Sequence, residues 1–162
     1  MSKAFTSEEA TLEVVVPPRA PLPPGVPNYV TPRGLELLRA ERRTLEAERA
    51  EIERGPEEGR GAALAAWSAR LAELDRRLAS AQRVDPAPGP ARTVRFGSRV
   101  TLDEAGEEKT IAIVGVDEAD PERGLIAFLA PLAKALLGRE LGDTVKVATP
   151  GKQRTLEIVA IE

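Results

Sequence analysis

The sequence predicts an α+β protein in which an N-terminal antiparallel helical hairpin (a coiled coil) precedes a small antiparallel sheet domain with one short helix. Three observations predict it. Two helix-forming stretches are separated by a short Gly/Pro turn, and a proline-rich linker follows them. After the linker, the spacing of apolar residues changes from a helical to an alternating period.

Composition excludes several classes of function. The 162 residues contain no histidine and no cysteine, which excludes Ser-His-Asp or Cys-His catalysis, the usual zinc sites and disulfides. A net charge of −3 and few aromatic residues argue against a nucleic-acid-binding domain. No apolar run approaches the roughly 18 residues of a membrane span. The first residues lack a secretory signal, so we expect a cytoplasmic protein. No motif of a cofactor site is found, and we expect no cofactor.

Residues 1–28 are predicted to form a disordered, proline-rich tail. Six prolines fall between Pro17 and Pro27, a density that prevents regular helix and favours an extended, solvated spacer. The apolar run from Leu12 to Val16 leaves open the alternative that this part docks as a short strand.

Residues 29–83 are predicted to form the hairpin. Thr31 is a favourable N-cap and Pro32 a favourable first helical residue, and helix formers then continue to Arg54. A turn at residues 55–61 leads into a second helix at about residues 62–83. The apolar residues of that helix alternate in spacings of three and four: Leu64, Trp67, Leu71, Leu74, Leu78 and Ala81.

Residues 84–93 are predicted to be a linker, and residues 94–162 the sheet domain. Strands are expected at residues 94–102, 110–116, 125–129, 144–148 and 155–161, and a short helix at residues 131–137 ends at Gly138.

Two groups of acidic residues could bind a cation. One follows the second predicted strand and contains Asp117, Glu118, Asp120 and Glu122. Its spacing matches no calcium loop, so we expect an exposed acidic turn and no metal site.

The other acidic group is the pair Glu57 and Glu58 in the hairpin turn. At the end of a long probe, these carboxylates could help hold a magnesium ion in the active site of a partner. The alternative is a soluble turn without a role of its own.

Several motifs resemble the bacterial Gre transcript-cleavage factors, GreB more than GreA. These motifs are Tyr29-Val30-Thr31-Pro32-Arg33-Gly34-Leu35, Val84-Asp85-Pro86, Phe96-Gly97-Ser98-Arg99-Val100-Thr101-Leu102, Ile113-Val114-Gly115-Val116-Asp117-Glu118-Ala119-Asp120, Pro131-Leu132-Ala133-Lys134-Ala135-Leu136-Leu137-Gly138-Arg139-Glu140-Leu141-Gly142-Asp143 and Thr149-Pro150-Gly151. The resemblance covers residues 29–162 and leaves the proline-rich tail outside it.

The resemblance implies a hairpin that enters the secondary channel of RNA polymerase and an FKBP-like C-terminal domain that grips the channel rim. The tip departs from the family, because its Asp-x-x-Ser-Glu-Asn-Ala motif is missing and both arms are a couple of turns short, as in Rnk-type regulators. Glu57 and Glu58 occupy the tip instead. In the expected polymerase-contact loop, Leu129-Ala130-Pro131 keeps only the proline of the family's Asp-Ser-Pro.

We therefore expect a monomeric regulator of transcription elongation that binds RNA polymerase at the secondary channel, is not an enzyme and does not strongly stimulate transcript cleavage. One alternative is an active cleavage factor that uses Glu57 or Glu58. Another is a coiled-coil interaction protein without a polymerase partner. An FKBP-like prolyl isomerase is disfavoured, since the domain offers only Phe96 and Phe128 as aromatic residues for a pocket.

Overall fold

The computed structural model describes residues 19–162. The possible strand at Leu12–Val16 lies outside the described residues. The chain forms a helical hairpin followed by a curled sheet with one short helix, which confirms the predicted α+β class. Within residues 19–162, no helix is long and apolar enough to cross a membrane.

The hairpin consists of α1 (Pro32–Arg54) and α2 (Arg60–Ser80). Thr31 caps α1 as predicted, since its Oγ1 accepts a hydrogen bond of 2.9 Å from the amide of Gly34. The seam between the helices buries Leu38, Leu45 and Leu74 almost completely. Burial along one face of each helix is what holds two otherwise marginal helices together in water.

A short parallel pair of strands closes the base of the hairpin, and sequence reasoning missed it. Strand β1 (Asn28–Val30) precedes α1, and strand β2 (Ala81–Arg83) follows α2. The second helix therefore ends at Ser80, earlier than predicted. The side chain of Asn28 donates hydrogen bonds to the carbonyl oxygen of Arg77 (2.9 Å) and to Ser80 Oγ (3.1 Å), at the end of α2.

The C-terminal sheet contains five strands in the order β5-β4-β3-β7-β6. They are β3 (Arg99–Glu104), β4 (Glu107–Val114), β5 (Leu125–Ala127), β6 (Thr144–Thr149) and β7 (Lys152–Ile161). The prediction of a wholly antiparallel sheet is wrong at one edge, where β5 runs parallel to β4. Two 3-10 turns, Val116–Glu118 and Pro121–Arg123, lie in the connection that carries the chain back for this pairing.

The first strand of the sheet begins later than predicted. Gly97 has a φ of 85°, a left-handed conformation that interrupts the alternating pattern, so β3 starts at Arg99. The short helix α3 (Pro131–Leu136) confirms the predicted helix, and Gly138 follows it with a φ of 81°. Leu136 from this helix packs on the sheet, in a core that also contains Ile113 and Ile158.

The hairpin and the sheet domain share a continuous apolar contact. Tyr29 of β1 lies 5.7 Å from Phe96 and 5.7 Å from Phe128, measured between ring centroids, and these two rings lie 5.6 Å apart. Such spacings are typical of favourable aromatic pairs. Two of the three rings belong to the sheet domain, so the base of the hairpin is held directly in the domain core.

Within the predicted tail, residues 19–28 contact the body of the protein at several points, while most of their side chains are exposed. Val26 packs against the core of the sheet domain, and the carbonyl oxygen of Ala20 accepts a hydrogen bond from the Arg77 guanidinium. Arg19 forms ion pairs with two elements of the body, described below. This docking costs little conformational entropy, because the prolines already restrict the backbone of the free segment.

Candidate functional site

The shaft of the hairpin is stiffened by contacts between its two helices. Trp67 Nε1 donates a hydrogen bond of 2.6 Å to the carbonyl oxygen of Leu45, and the guanidinium of Arg49 lies 5.3 Å from the centroid of the Trp67 ring. Arg70 pairs with Glu48 across the helices at 3.0 Å. The charges along the flanks are thus largely engaged with one another.

The hairpin tip carries two free carboxylates. Pro56 and the following residues turn the chain, Gly59 adopts a φ of 75°, and Arg60 Nη2 donates to the carbonyl oxygen of Gly55 at 2.5 Å. Glu57 and Glu58 are exposed, and within residues 19–162 neither forms an ion pair. The structure therefore places both predicted tip residues at the far end of the shaft.

No preformed metal site exists at the tip. Across the part of the chain that the structure describes, no group of three or more acidic residues is arranged to hold a metal ion. Two exposed carboxylates can add ligands to a metal that a partner already holds, but they do not make a site by themselves.

The predicted contact loop, Leu129-Ala130-Pro131, follows β5 and ends at the first residue of α3. Leu129 is partly buried against the sheet core, and Pro131 is exposed at the first position of α3. The amide of Ala130 donates to the carbonyl oxygen of Ala127 at 2.9 Å, and the amide of Lys134 donates to that of Ala130 at 2.9 Å. Backbone hydrogen bonds thus hold the loop in one shape, on the sheet domain and away from the tip.

The expectation of an exposed acidic turn after β4 is wrong for Asp117 and Glu118. The side chain of Glu118 is only 4% exposed, and it accepts hydrogen bonds from Thr31 Oγ1 and, at 3.0 Å, from Arg33 Nη1. Its carboxylate therefore sits at the N-terminus of α1, where a negative charge complements the helix dipole. Glu118 binds the hairpin to the sheet domain.

Asp117 forms the second half of this junction. Arg19 Nη1 donates to Asp117 Oδ1 at 2.7 Å, and Arg77 Nε lies 3.2 Å from Asp117 Oδ2, an ion pair without hydrogen-bond geometry. Arg19 also pairs with Glu41 of α1 at 2.5 Å. One carboxylate thus connects the N-terminal segment, α2 and the sheet domain.

The two carboxylate partners of Arg19 together affect its pKa more than its burial does. Desolvation, the largest single cause, would lower the pKa of the Arg19 guanidinium, but the hydrogen bonds to Asp117 and Glu41 together with the charges of these carboxylates raise it overall. The side chain therefore stays charged in its partly buried position.

Two glycines allow the junction to close. A β-carbon on Gly34 would lie 2.7 Å from Glu118 Oε2, and one on Gly115 would lie 2.6 Å from the carbonyl oxygen of Tyr29. Both glycines lie within the motifs that carry the family resemblance, but the sequence alone assigned neither of them a role. The available signal was their position beside a helix N-cap and beside a buried strand end, where close backbone approach needs a residue without a side chain.

Comparison with known proteins finds relatives for the C-terminal part of the chain. Residues 89–162 match the family model of the transcription elongation factor GreA/GreB C-terminal domain. Over 94 residues, the chain is 45% identical to transcription elongation factor GreA of Acidiphilium cryptum, a match that covers 57% of this chain and 60% of that protein. The corresponding protein of Jannaschia sp. is 47% identical over 94 residues, with the same two coverages. The chain therefore matches about 60% of the length of these curated relatives.

Among solved structures, the chain is similar to GreA factor homolog 1 (Gfh1) of Thermus thermophilus. The two are 25% identical over 83% of this chain and 97% of that chain, with a TM-score of 0.41.

Proposed function

We propose that the chain is a transcription elongation factor of the GreA/GreB type that binds RNA polymerase at the secondary channel and regulates elongation. The support is the match of residues 89–162 to the C-terminal model of that family and the 45% identity to a GreA over 94 residues. In this proposal the protein is not an enzyme, acts as a monomer and stimulates transcript cleavage weakly or not at all. Residues 29–83 are the probe, residues 84–93 the linker and residues 94–162 the domain that binds the channel rim.

The observation that carries the proposal is the buried junction between the hairpin and the family domain. Glu118 of the sheet domain is engaged by Thr31 and Arg33 at the start of α1, and its side chain is almost fully buried. A domain that grips a partner can aim a probe only if the two are held at a defined angle. The junction supports this arrangement, because a pivot of the hairpin would remove Thr31 and Arg33 and leave the buried carboxylate of Glu118 without its partners.

The length and the tip of the probe support regulation without strong cleavage. The 23 residues of α1 span about 34 Å. The family resemblance implies longer arms, and eight residues fewer per arm would withdraw the tip by about 12 Å. Metal coordination requires contacts of about 2–2.6 Å, so a withdrawn tip cannot reach the ion.

Leu129-Ala130-Pro131 is the proposed rim-contact loop. It combines an exposed Pro131 with backbone hydrogen bonds that hold its shape, so it can bind without losing much conformational freedom. Its lack of an aspartate and a serine predicts a contact that depends on shape rather than on charge.

The test is binding of the full-length protein to core RNA polymerase, with a full-length Gre factor as competitor. We expect each protein to displace the other. Binding without mutual displacement would exclude the secondary channel, and no binding at micromolar concentrations would overturn the proposal. Sedimentation of the free protein then separates a monomer from the coiled-coil alternative, which requires a concentration-dependent dimer.

A second experiment addresses the alternative of an active cleavage factor, which the two exposed tip carboxylates favour. The double variant Glu57→Ala/Glu58→Ala is compared with Glu107→Ala/Glu108→Ala, an adjacent pair of exposed glutamates on β4. We expect both variants to compete for polymerase like the wild type, and none of the three proteins to stimulate cleavage of backtracked RNA efficiently. Strong wild-type cleavage that only the tip variant loses would establish the alternative.

A further inference from the structure

A groove runs between the base of the hairpin and the outer edge of the sheet. It has a volume of about 510 Å³, and three arginines from three different elements line it: Arg33 of α1, Arg99 of β3 and Arg123 of the turn before β5. The groove is separate from the hairpin tip and from the Leu129-Ala130-Pro131 loop.

The register of the sheet explains how the groove forms. Arg99 is paired with Ala112, and Ala112 is paired with Leu125 on the next strand, so the three residues lie in one row across β3, β4 and β5. Residues directly opposite each other on neighbouring strands share a face of the sheet. Because Ala112 is short, it leaves a depression between the longer side chains, and Pro86 adds a further apolar surface.

The charge of this groove is unbalanced. Glu118 also lines it, but that carboxylate is buried and already engaged by Thr31 and Arg33. Arg99 and Arg123 are exposed and form no ion pair with any residue of the range 19–162. The chain as a whole has a net charge of −3, so the positive charge of the groove is opposite in sign to the net charge of the protein.

We propose that this groove binds an acidic, partly apolar segment of the protein partner, which in the function proposed above is RNA polymerase. The inference rests on that proposed function. Each arginine fork can bind a carboxylate through two hydrogen bonds, and Arg33 retains free donors beside its single bond to Glu118. The apolar floor accommodates side chains of the same segment. A nucleic acid is a poorer fit, since the groove contains no aromatic side chain on which a base could stack.

The test compares two charge-reversal variants in binding to core RNA polymerase. Arg99→Glu/Arg123→Glu changes the groove, while Lys109→Glu/Lys146→Glu makes the same change in net charge at exposed positions outside it. We expect the groove variant to bind about tenfold more weakly or worse, and to lose part of the salt dependence of binding. The control is expected to stay within about threefold of the wild type. Circular dichroism checks that both variants fold.

The milder variant Arg99→Gln/Arg123→Gln removes the charges without adding acids, and we expect an intermediate loss of affinity. An equal loss of affinity in the groove and control variants, or no loss in the groove variant, would overturn the proposed role of the groove. The proposal that the protein binds polymerase would still stand. A loss seen only with polymerase that carries nucleic acid would assign the groove to nucleic acid and overturn the proposal. Failure of the wild type to bind polymerase would overturn both this inference and the proposed function.

Discussion

Gly115 lies so close to Tyr29 that a β-carbon built on the glycine would be 2.6 Å from the tyrosine carbonyl oxygen. The obstacle is backbone, and Tyr29 is held on both sides: β1 is paired with β2, and its ring packs against Phe96. Tyr29 cannot move away without breaking the strand pair or its contact with Phe96 in the sheet domain. The two parts of the molecule therefore meet at a distance that only glycine permits.

The first prediction is that Gly115→Ala lowers the free energy of unfolding by about 1–3 kcal/mol, because the new methyl group forces the two backbones apart. Chemical denaturation measures this change. Gly61→Ala is the matched control, since nothing lies within 4 Å of a β-carbon there and the position is helical, so stability should rise by about 0.5–1 kcal/mol. Equal shifts in the two variants would contradict the close contact.

The second prediction concerns Glu118, the carboxylate at the start of α1. Glu118→Ala leaves Thr31 and Arg33 without their shared partner, and we expect a loss of about 1–3 kcal/mol in the free energy of unfolding. Glu122→Ala removes an exposed carboxylate of the same connection and should change stability by less than about 0.5 kcal/mol. Similar changes in the free energy of unfolding for the two variants would contradict the buried position of Glu118 and support the exposed acidic turn that the sequence predicts.

The third prediction is that Arg19 holds the N-terminal segment against the body. In Arg19→Ala, Asp117 keeps Arg77 but Glu41 loses its partner, so we expect a loss of about 1 kcal/mol in stability and lower NMR order parameters at Ala20. Arg43→Ala, at an exposed residue of α1 outside the described ion pairs, should leave Ala20 unchanged. Unchanged order at Ala20 in both variants would show that the Arg77 hydrogen bond and the packing of Val26 hold the segment without Arg19.

The fourth prediction concerns pH. Hydrogen bonds from Arg154 hold the pKa of the Glu104 carboxyl below its usual range, with Nε at 3.0 Å from each oxygen. A lowered pKa in the folded state adds stability above the unfolded pKa, and this contribution disappears as the pH falls through the folded value. Wild type should thus be more stable than Glu104→Gln at about pH 7 and equal to it at about pH 2. High salt should also reduce the difference, since the pair is at the surface. A difference independent of pH would reject the ion pair as its cause.

The elements of the fold were predictable where neighbouring residues specify them. Thr31 and Pro32 predicted the start of α1, and the structure confirms the cap. Ala105 and Gly106 turn the chain between β3 and β4 with φ values of 55° and 90°, in the gap between the strands predicted at residues 94–102 and 110–116. In each case the deciding contacts lie within a few residues, so the sequence pattern carries the information.

The errors in strand pairing occurred where distant residues decide the outcome. The parallel pairing of β5 with β4 and the short pair of β1 with β2 depend on how the chain returns after a turn or a whole hairpin. The tip residues Glu57 and Glu58 could be located from the sequence, because a turn between two helices must lie at the end of the hairpin. Their role stays a prediction, since it depends on a partner.

By itself, the sequence determined a helical hairpin, a following sheet with a short helix, and a resemblance that the comparison of residues 89–162 confirms. Only the tertiary structure decided that Asp117 and Glu118 lie inside a junction instead of on an exposed turn. The physical reason is that a carboxylate is buried only where cations or donors compensate its desolvation. Here those partners stand 98 residues away in Arg19 and 87 residues away in Thr31, beyond the range of any local pattern.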